Sequence, residues 1–326
     1  MLIHMSREVV AGIDIGGTNT AIGLVTAEGE ILAGGRINTD NDPQPGGFIN
    51  KLISEINNYV DKAGAVSLRG IGIGAPNGNY HKGTIEMAPN LAWKGIVPFA
   101  GMMEKEIKKP VVLTNDATAA AVGEMMFGGA KGMKDFIILT LGTGLGSGFV
   151  TNGEIVYGAT GFAGEYGHVI MLPGGRECGC GRKGCLETYV SATGIVRTAK
   201  IFLEERKQDS MLREINPAVI DSRLIAEAAG KGDKMALDVF DYTAEILALA
   251  IANAVVVTSP EAVFLFGGLA RAGKLLTDPL DKYIDKLVLP VFRDTFRILP
   301  SAIPETNGAV LGAAALAWKE LKNTLK

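Results

Sequence analysis

Two stretches decide the fold: Asp14-Ile15-Gly16-Gly17-Thr18-Asn19-Thr20 near the start of the chain, and Leu141-Gly142-Thr143-Gly144-Leu145-Gly146-Ser147-Gly148 near its middle. Shifted by 125 residues, Gly17-Thr18 falls on Gly142-Thr143, Gly23 on Gly148, Val25 on Val150 and Thr26 on Thr151. After one residue of slippage, Gly29-Glu30-Ile31 matches Gly153-Glu154-Ile155. Each copy reads as a strand, a glycine-rich turn, a second strand, a Gly-Glu turn and a third strand. So long a period is no solenoid unit. It predicts a duplicated α/β domain whose two glycine turns face each other across a cleft, the alternative being a chance likeness between two glycine-rich hairpins.

Outward from the first copy, Val9–Ile15 reads as a buried strand, with Ala21–Val25 and Glu30–Ala33 as further strands around the turn at Ala27-Glu28-Gly29. Phe48–Val60 has helical apolar spacing, Gly70–Ala75 and Val111–Leu113 are short apolar strands, and a helix with a small-residue face is expected from Asp116. The second half is more helical, with predicted helices over Tyr189–Lys207, Asp233–Val257 and Asn307–Lys322. The strand Glu261–Phe266 runs into Gly267-Gly268. The alternation argues α/β architecture. No low-complexity linker separates the halves, so a tight hinge is expected.

At 326 residues and 34.2 kDa the chain has room for about two domains. The charge of 32 basic against 35 acidic residues gives no nucleic-acid footprint and no polybasic membrane arm. The longest apolar run, Ile246–Val257, is broken by Asn253 and falls short of the ~20 residues of a span. Met1–Val10 carries His4, Arg7 and Glu8 where a leader would be apolar, so a cytoplasmic location is expected. The three cysteines all lie between residues 178 and 185, which is no disulfide framework. Glycine is in excess, 43 residues, and that places backbone close to something in the loops.

The hairpin at Asp14–Thr20 is neither a Walker A loop nor a G-x-G-x-x-G turn opening a helix. Alone it reads more readily as a plain turn than as an anion cradle. With its duplicate at 141–148 it reads as half of a site holding a nucleotide between two lobes. Asn115-Asp116 follows a strand, where α/β ligands bind. Asp116 is a candidate base for a hydroxyl, or a helix cap. His168, in Glu165-Tyr166-Gly167-His168, with Cys178, Cys180 and Cys185 makes the donor set of a closed structural Zn²⁺ site, a redox thiol pair being the alternative. Glu165 and Glu187 flank that loop and are candidates to accept hydrogen bonds from a polyhydroxylated ligand.

These motifs together resemble the ROK family of sugar kinases (repressor, open reading frame, kinase), most closely its bacterial glucokinases. The likeness covers nearly the whole chain: D-I-G-G-T, L-x-N-D-A, L-G-T-G-x-G-x-G, E-x-G-H, C-x-C-G-x-x-G-C-x-E and a late F-G-G turn. It implies a duplicated ribonuclease-H-like fold of the actin and hexokinase type, with a small lobe of 1–120 plus 308–326 and a large lobe of 121–307. It implies ATP-dependent phosphorylation of a hexose, with Mg²⁺ and a structural Zn²⁺. By the same resemblance Asp116 is the base for the sugar 6-hydroxyl, and Asn90, Asn115, Glu165, His168 and Glu187 contact the sugar. Asp14 steers Mg²⁺ on the triphosphate. Gly16, Gly17, Thr18 and Asn19 with Gly142, Thr143 and Gly144 cradle phosphates, and Gly267-Gly268 walls the adenosine. The resemblance also implies a homodimer, while the charge balance argues against nucleic acid and membrane as partners.

Two departures bear on the substrate. Where the family often has G-x-P-G, this chain reads Gly74-Ala75-Pro76-Asn77-Gly78, with Asn77 expected at positive φ. Phe162-Ala163-Gly164 precedes Glu165 where the family's fructokinases tend to carry His-Pro, which points to an aldohexose such as glucose. N-acetylmannosamine, N-acetylglucosamine, mannose and fructose are the alternatives within the family. The family's sugar-sensing transcriptional regulators carry a helix-turn-helix ahead of this core. Here the first strand begins by Val9 and Asp116 is present, so the kinase is expected.

Overall fold

The computed structural model describes residues 6–39 and 44–324. The reading of Met1–Val10 as no leader therefore rests in part on residues 1–5, outside the described residues, as do 325–326 of the small-lobe bounds.

The first half runs β1 (Arg7–Ile15), β2 (Asn19–Val25), β3 (Ile31–Asn38), α1 (Pro45–Ala63) and β4 (Val66–Gly74). Three short strands follow, β5 (Gly78–Asn79), β6 (Thr84–Glu86) and β7 (Ile96–Val97), then α2 (Phe99–Ile107), β8 (Val111–Thr114) and α3 (Asp116–Phe127). The second half runs β9 (Phe136–Leu141), β10 (Leu145–Thr151), β11 (Glu154–Ile155), α4 (Ala192–Glu205), α5 (Ser222–Gly230) and α6 (Lys234–Thr258). It ends with β12 (Ala262–Phe266), α7 (Lys274–Leu287), β13 (Arg297–Pro300) and α8 (Glu305–Thr324).

The repeat is a repeat of topology. One sheet has the order β3-β2-β1-β4-β8 and the other β11-β10-β9-β12-β13. In each, the first three strands form an antiparallel meander and the last two lie parallel to its first strand. Two sheets matching strand for strand in order and direction leave no room for a chance likeness between hairpins. The one residue of slippage falls in the second turn, where Ala27–Gly29 joins the strands in the first copy and Asn152-Gly153 in the second.

Helices α3 and α8 lie between the sheets. α8 seats on the first sheet because β4 carries Gly72, where a Cβ would stand 1.8 Å from the carbonyl oxygen of Ala313. Its run Ala313–Ala317 is buried, and Trp318 Nε1 donates to Val25 O at 3.2 Å. α3 turns its small residues Ala117, Ala119, Ala120 and Ala121 inward, and they are buried. The buried carboxylate of Glu124 in α3 accepts the N–H of Gly129 (2.7 Å) and of Ala302 (3.1 Å) and the hydroxyl of Ser301 (2.6 Å). One side chain thus holds both connections that run between the sheets.

Several elements differ from expectation for local reasons. The helix predicted from Tyr189 begins at Ala192, since Ser191 Oγ caps it by accepting the N–H of Gly194 at 2.9 Å. β3 continues past Ala33 through Gly34-Gly35, which hide a strand from propensity. α6, at 25 residues, is long and apolar enough to cross a membrane by length and composition, although no uninterrupted apolar run in it reaches that length. Two-thirds of its most apolar window (67%) is buried, and its inward face packs in the second core with Phe202, Leu212 and Leu265.

Candidate active site

Between the sheets lies a cleft of about 490 Å³ walled by Asn90, Asn115 and Asp116 on one side and by Gly142–Ser147, Glu165, Glu187 and Gly267 on the other. Two cavities of similar volume, one along α7 and one beside Tyr80 and Glu320, contain none of the residues singled out by the sequence.

Asp116 begins α3 directly after β8. Asn115 is the cap of that helix, its Oδ1 accepting the N–H of Thr118 at 2.6 Å. The cap alternative therefore belongs to Asn115, and it leaves the Asp116 carboxylate on the cleft floor. Asp116 is exposed to the cleft, with protein packed densely around it. That enclosure raises its pKa above the ordinary carboxylate range, opposed by the N–H of Ala117 at 2.8 Å. Asp14, at the end of β1, is pushed up to about 6 by burial first and by the charge of Asp116 second, with Arg36 pulling the other way. Both acids are thus raised, Asp14 in part by the charge of Asp116, and raised carboxylates beside a cleft are candidates for proton transfer and cation binding.

The two glycine turns approach this pair from opposite lobes. In the first, Thr39 donates its N–H to Thr18 O (2.9 Å) and its hydroxyl to Gly16 O (2.7 Å), while Gly16 N bonds Asn19 O. Gly17 lies so near Asn90 that a Cβ there would stand 2.7 Å from the Asn90 carbonyl. In the second, Gly142 O accepts from Ala192 N and Thr143 O from Thr193 Oγ1, both at 2.8 Å. A Cβ on Gly144 would stand 2.8 Å from Glu187 Oε2. Each turn thus touches a residue expected to contact sugar.

Glu165 reaches toward the first lobe, where Asn115 Nδ2 lies 3.5 Å from its Oε1. Burial raises its pKa first, with His168 opposing and Asp116 and Glu187 adding to the rise. His168 stands behind the cleft with the cysteines. The ligand atoms of His168, Cys178, Cys180 and Cys185 all lie within 4.8 Å of one another. Cys180 Sγ is 3.7 Å from Cys185 Sγ, and Cys178 Sγ is 3.6 Å from His168 Nδ1. Bonds of ~2.3 Å to sulfur and ~2.0 Å to nitrogen give tetrahedral edges of about 3.5–3.8 Å, so these two edges match a zinc tetrahedron and the sulfurs are far too open for a disulfide. Glu187 Oε1 lies 3.0 Å from Cys178 Sγ and 3.7 Å from His168 Nδ1, which ties the cluster to the cleft wall.

Gly268 faces a neighbouring cavity with Ser222, Phe240 and Arg271 rather than the cleft itself. Asn77 does adopt φ 51 and lines the cleft. Residues the sequence reading passed over include Thr140, Ser147 and Phe266 in the cleft wall. Another is Arg176, whose guanidinium stacks on Tyr189 at 4.5 Å and donates to Gly194 O at 3.2 Å, anchoring the cysteine loop to α4. Ser147 and Phe266 lie within quoted motifs but at positions given no role there, and Thr140 and Arg176 lie in none, so only the tertiary packing marks them.

The ROK family profile matches residues 10–320, and the chain belongs to the ROK family. It is 36% identical to a glucokinase of Halalkalibacterium halodurans, over 99% of this chain and 98% of that one. A solved structure of a ROK family glucokinase from Streptomyces griseus, in complex with glucose and AMPPNP, superposes with a TM-score of 0.79 at 32% identity. That match covers 95% of this chain and 99% of the other. The chain is also 30% identical to a xylose repressor of Caldicellulosiruptor bescii, over 98% of this chain and 81% of the repressor.

Proposed function

We propose that this ROK-family chain is an ATP-dependent hexose kinase that phosphorylates the 6-hydroxyl of an aldohexose, glucose first among them. The observation that carries this reading is the cleft that brings Asp116 together with the second glycine turn, with Gly17 of the first turn packed against Asn90 of its wall. A carboxylate at a strand end takes the proton of the attacking hydroxyl. The turns hold the phosphates, and transfer is achieved by positioning and charge stabilisation. Asn90, Asn115, Glu165 and Glu187 supply the polar lining that a polyhydroxylated substrate needs. The glucokinase relatives, and the glucose and AMPPNP bound by the Streptomyces griseus protein, support the same substrates here.

Asp14 is the residue that would face Mg²⁺ on the triphosphate, a hard oxygen donor whose raised pKa a nearby cation would relieve. His168, Cys178, Cys180 and Cys185 would hold Zn²⁺, which with four protein ligands has no open position and serves structure. The same reading places the protein in the cytoplasm, where ATP is at hand and thiols stay reduced, and gives it a homodimeric state to be read by sedimentation.

ATP turnover coupled to a panel of glucose, mannose, fructose, N-acetylglucosamine and N-acetylmannosamine tests the proposal. Glucose should give the highest kcat/KM. A win for an N-acetylated sugar would move the substrate within the family. Hexose binding without any turnover would instead favour a sensor of the repressor kind.

A further inference from the structure

Glu165 sits at the centre of a tight turn. Its φ of −72° and ψ of 53° are those of an inverse γ-turn, and the N–H of Tyr166 bonds back to Gly164 O at 2.7 Å. Such a turn is held by a single bent hydrogen bond, a weak frame for a residue expected to grip substrate. Ser147 closes on both of its ends. The hydroxyl donates to Gly164 O and accepts the N–H of Tyr166 at 3.1 Å, so one oxygen clamps the residue before Glu165 and the residue after it. Ser147 is 2% exposed and lies on β10, three residues beyond Gly144 of the second glycine turn. Its backbone is fixed by pairing with Leu139. Beyond the clamp, the Tyr166 hydroxyl is anchored on Ala250 O of α6 at 2.5 Å.

We propose that Ser147 is a positioning residue for substrate selection: its hydroxyl sets the direction of the Glu165 carboxylate and couples it to the phosphate-side hairpin on the same strand. This rests on the hexose-kinase reading. The backbone partners of the hydroxyl lie on the Glu165 segment alone, so its loss falls on the sugar. The cradle residues Gly142 and Thr143 keep their own bonds to α4.

The test is a double-mutant cycle with the hexose that the panel ranks first. Ser147→Ala should raise the hexose KM about tenfold, as expected for a lost buried hydrogen-bond partner, with the ATP KM unchanged. In a Glu165→Gln background the same substitution should add little, because the carboxylate it positions is gone. Equal effects in both backgrounds, or an ATP KM that rises as much as the hexose KM, would overturn the proposal. Should Ser147→Ala fail to fold, Ser147→Cys, of similar shape and weaker hydrogen bonding, carries the same cycle. A wild-type protein that turns over no hexose would sink the kinase reading and this inference with it; an additive cycle in an active enzyme sinks the inference alone.

Discussion

The two sheets share one strand order, yet they deliver their site residues differently. In the first, Asp14 stands at the end of β1 and Asn115-Asp116 follow β8, so strand geometry alone places the acids. In the second, Glu165 and Glu187 lie on the long stretch between β11 and α4, which has no regular strand and is pinned by the cysteine cluster, Arg176 and Ser147. Duplication supplied two equivalent frames. The first carries its candidate residues on the frame, whereas the second carries them on an irregular stretch that needs holding in place. Damage to the first should therefore fall on the chemical step, and damage to the second on substrate affinity.

The largest effect is expected from Asp116→Asn. The change keeps size and polarity and removes basicity, so kcat should fall by ~10²–10⁴ while hexose binding persists. Retention of more than half the wild-type rate would remove Asp116 as the base. The pH dependence sharpens the point. A base whose pKa is raised by burial is lost as pH falls through that raised value, so kcat/KM for the hexose should decline on the acid side above the usual carboxylate range.

Next in size is the second lobe's loop. Cys180→Ser should release zinc and raise the hexose KM about tenfold, in line with the loss of a metal's supporting shell, with much less effect on the ATP KM. Elemental analysis of the wild type should give about one zinc per chain. Zinc-free active enzyme, or normal hexose affinity in Cys180→Ser, would break the link between metal and sugar.

The same contrast explains what could be read in advance. Strands with apolar runs and turn residues, and the glycine repeat, carry the sheet order in their local pattern. The Cys₃His set is legible because its donor chemistry is rare. The β5–β7 sheet is not, since strands of two or three residues have no periodicity to detect. The clamp of Ser147 and the anchor of Arg176 depend on residues 19 and 18 positions away whose approach only folding creates. The double crossing held by Glu124 escaped for the same reason, Ser301 being 177 residues distant.

The smallest effect separates the two glycine turns. Gly17 has no room for a side chain, because Asn90 O would stand 2.7 Å from its Cβ. Gly142 meets nothing within 4 Å and is not at positive φ, so its fold does not require glycine. If Gly142 is glycine for the sake of a phosphate that approaches its backbone, Gly142→Ala should leave stability within about 0.5 kcal/mol of wild type. It should also raise the ATP KM roughly threefold to tenfold, by holding that phosphate off the turn. The hexose KM should not move, since Glu187 contacts Gly144 rather than Gly142. Thermal denaturation together with the two KM values reads all three. An unchanged ATP KM would mean that the second turn is a structural copy of the first and that only the first lobe holds the phosphates.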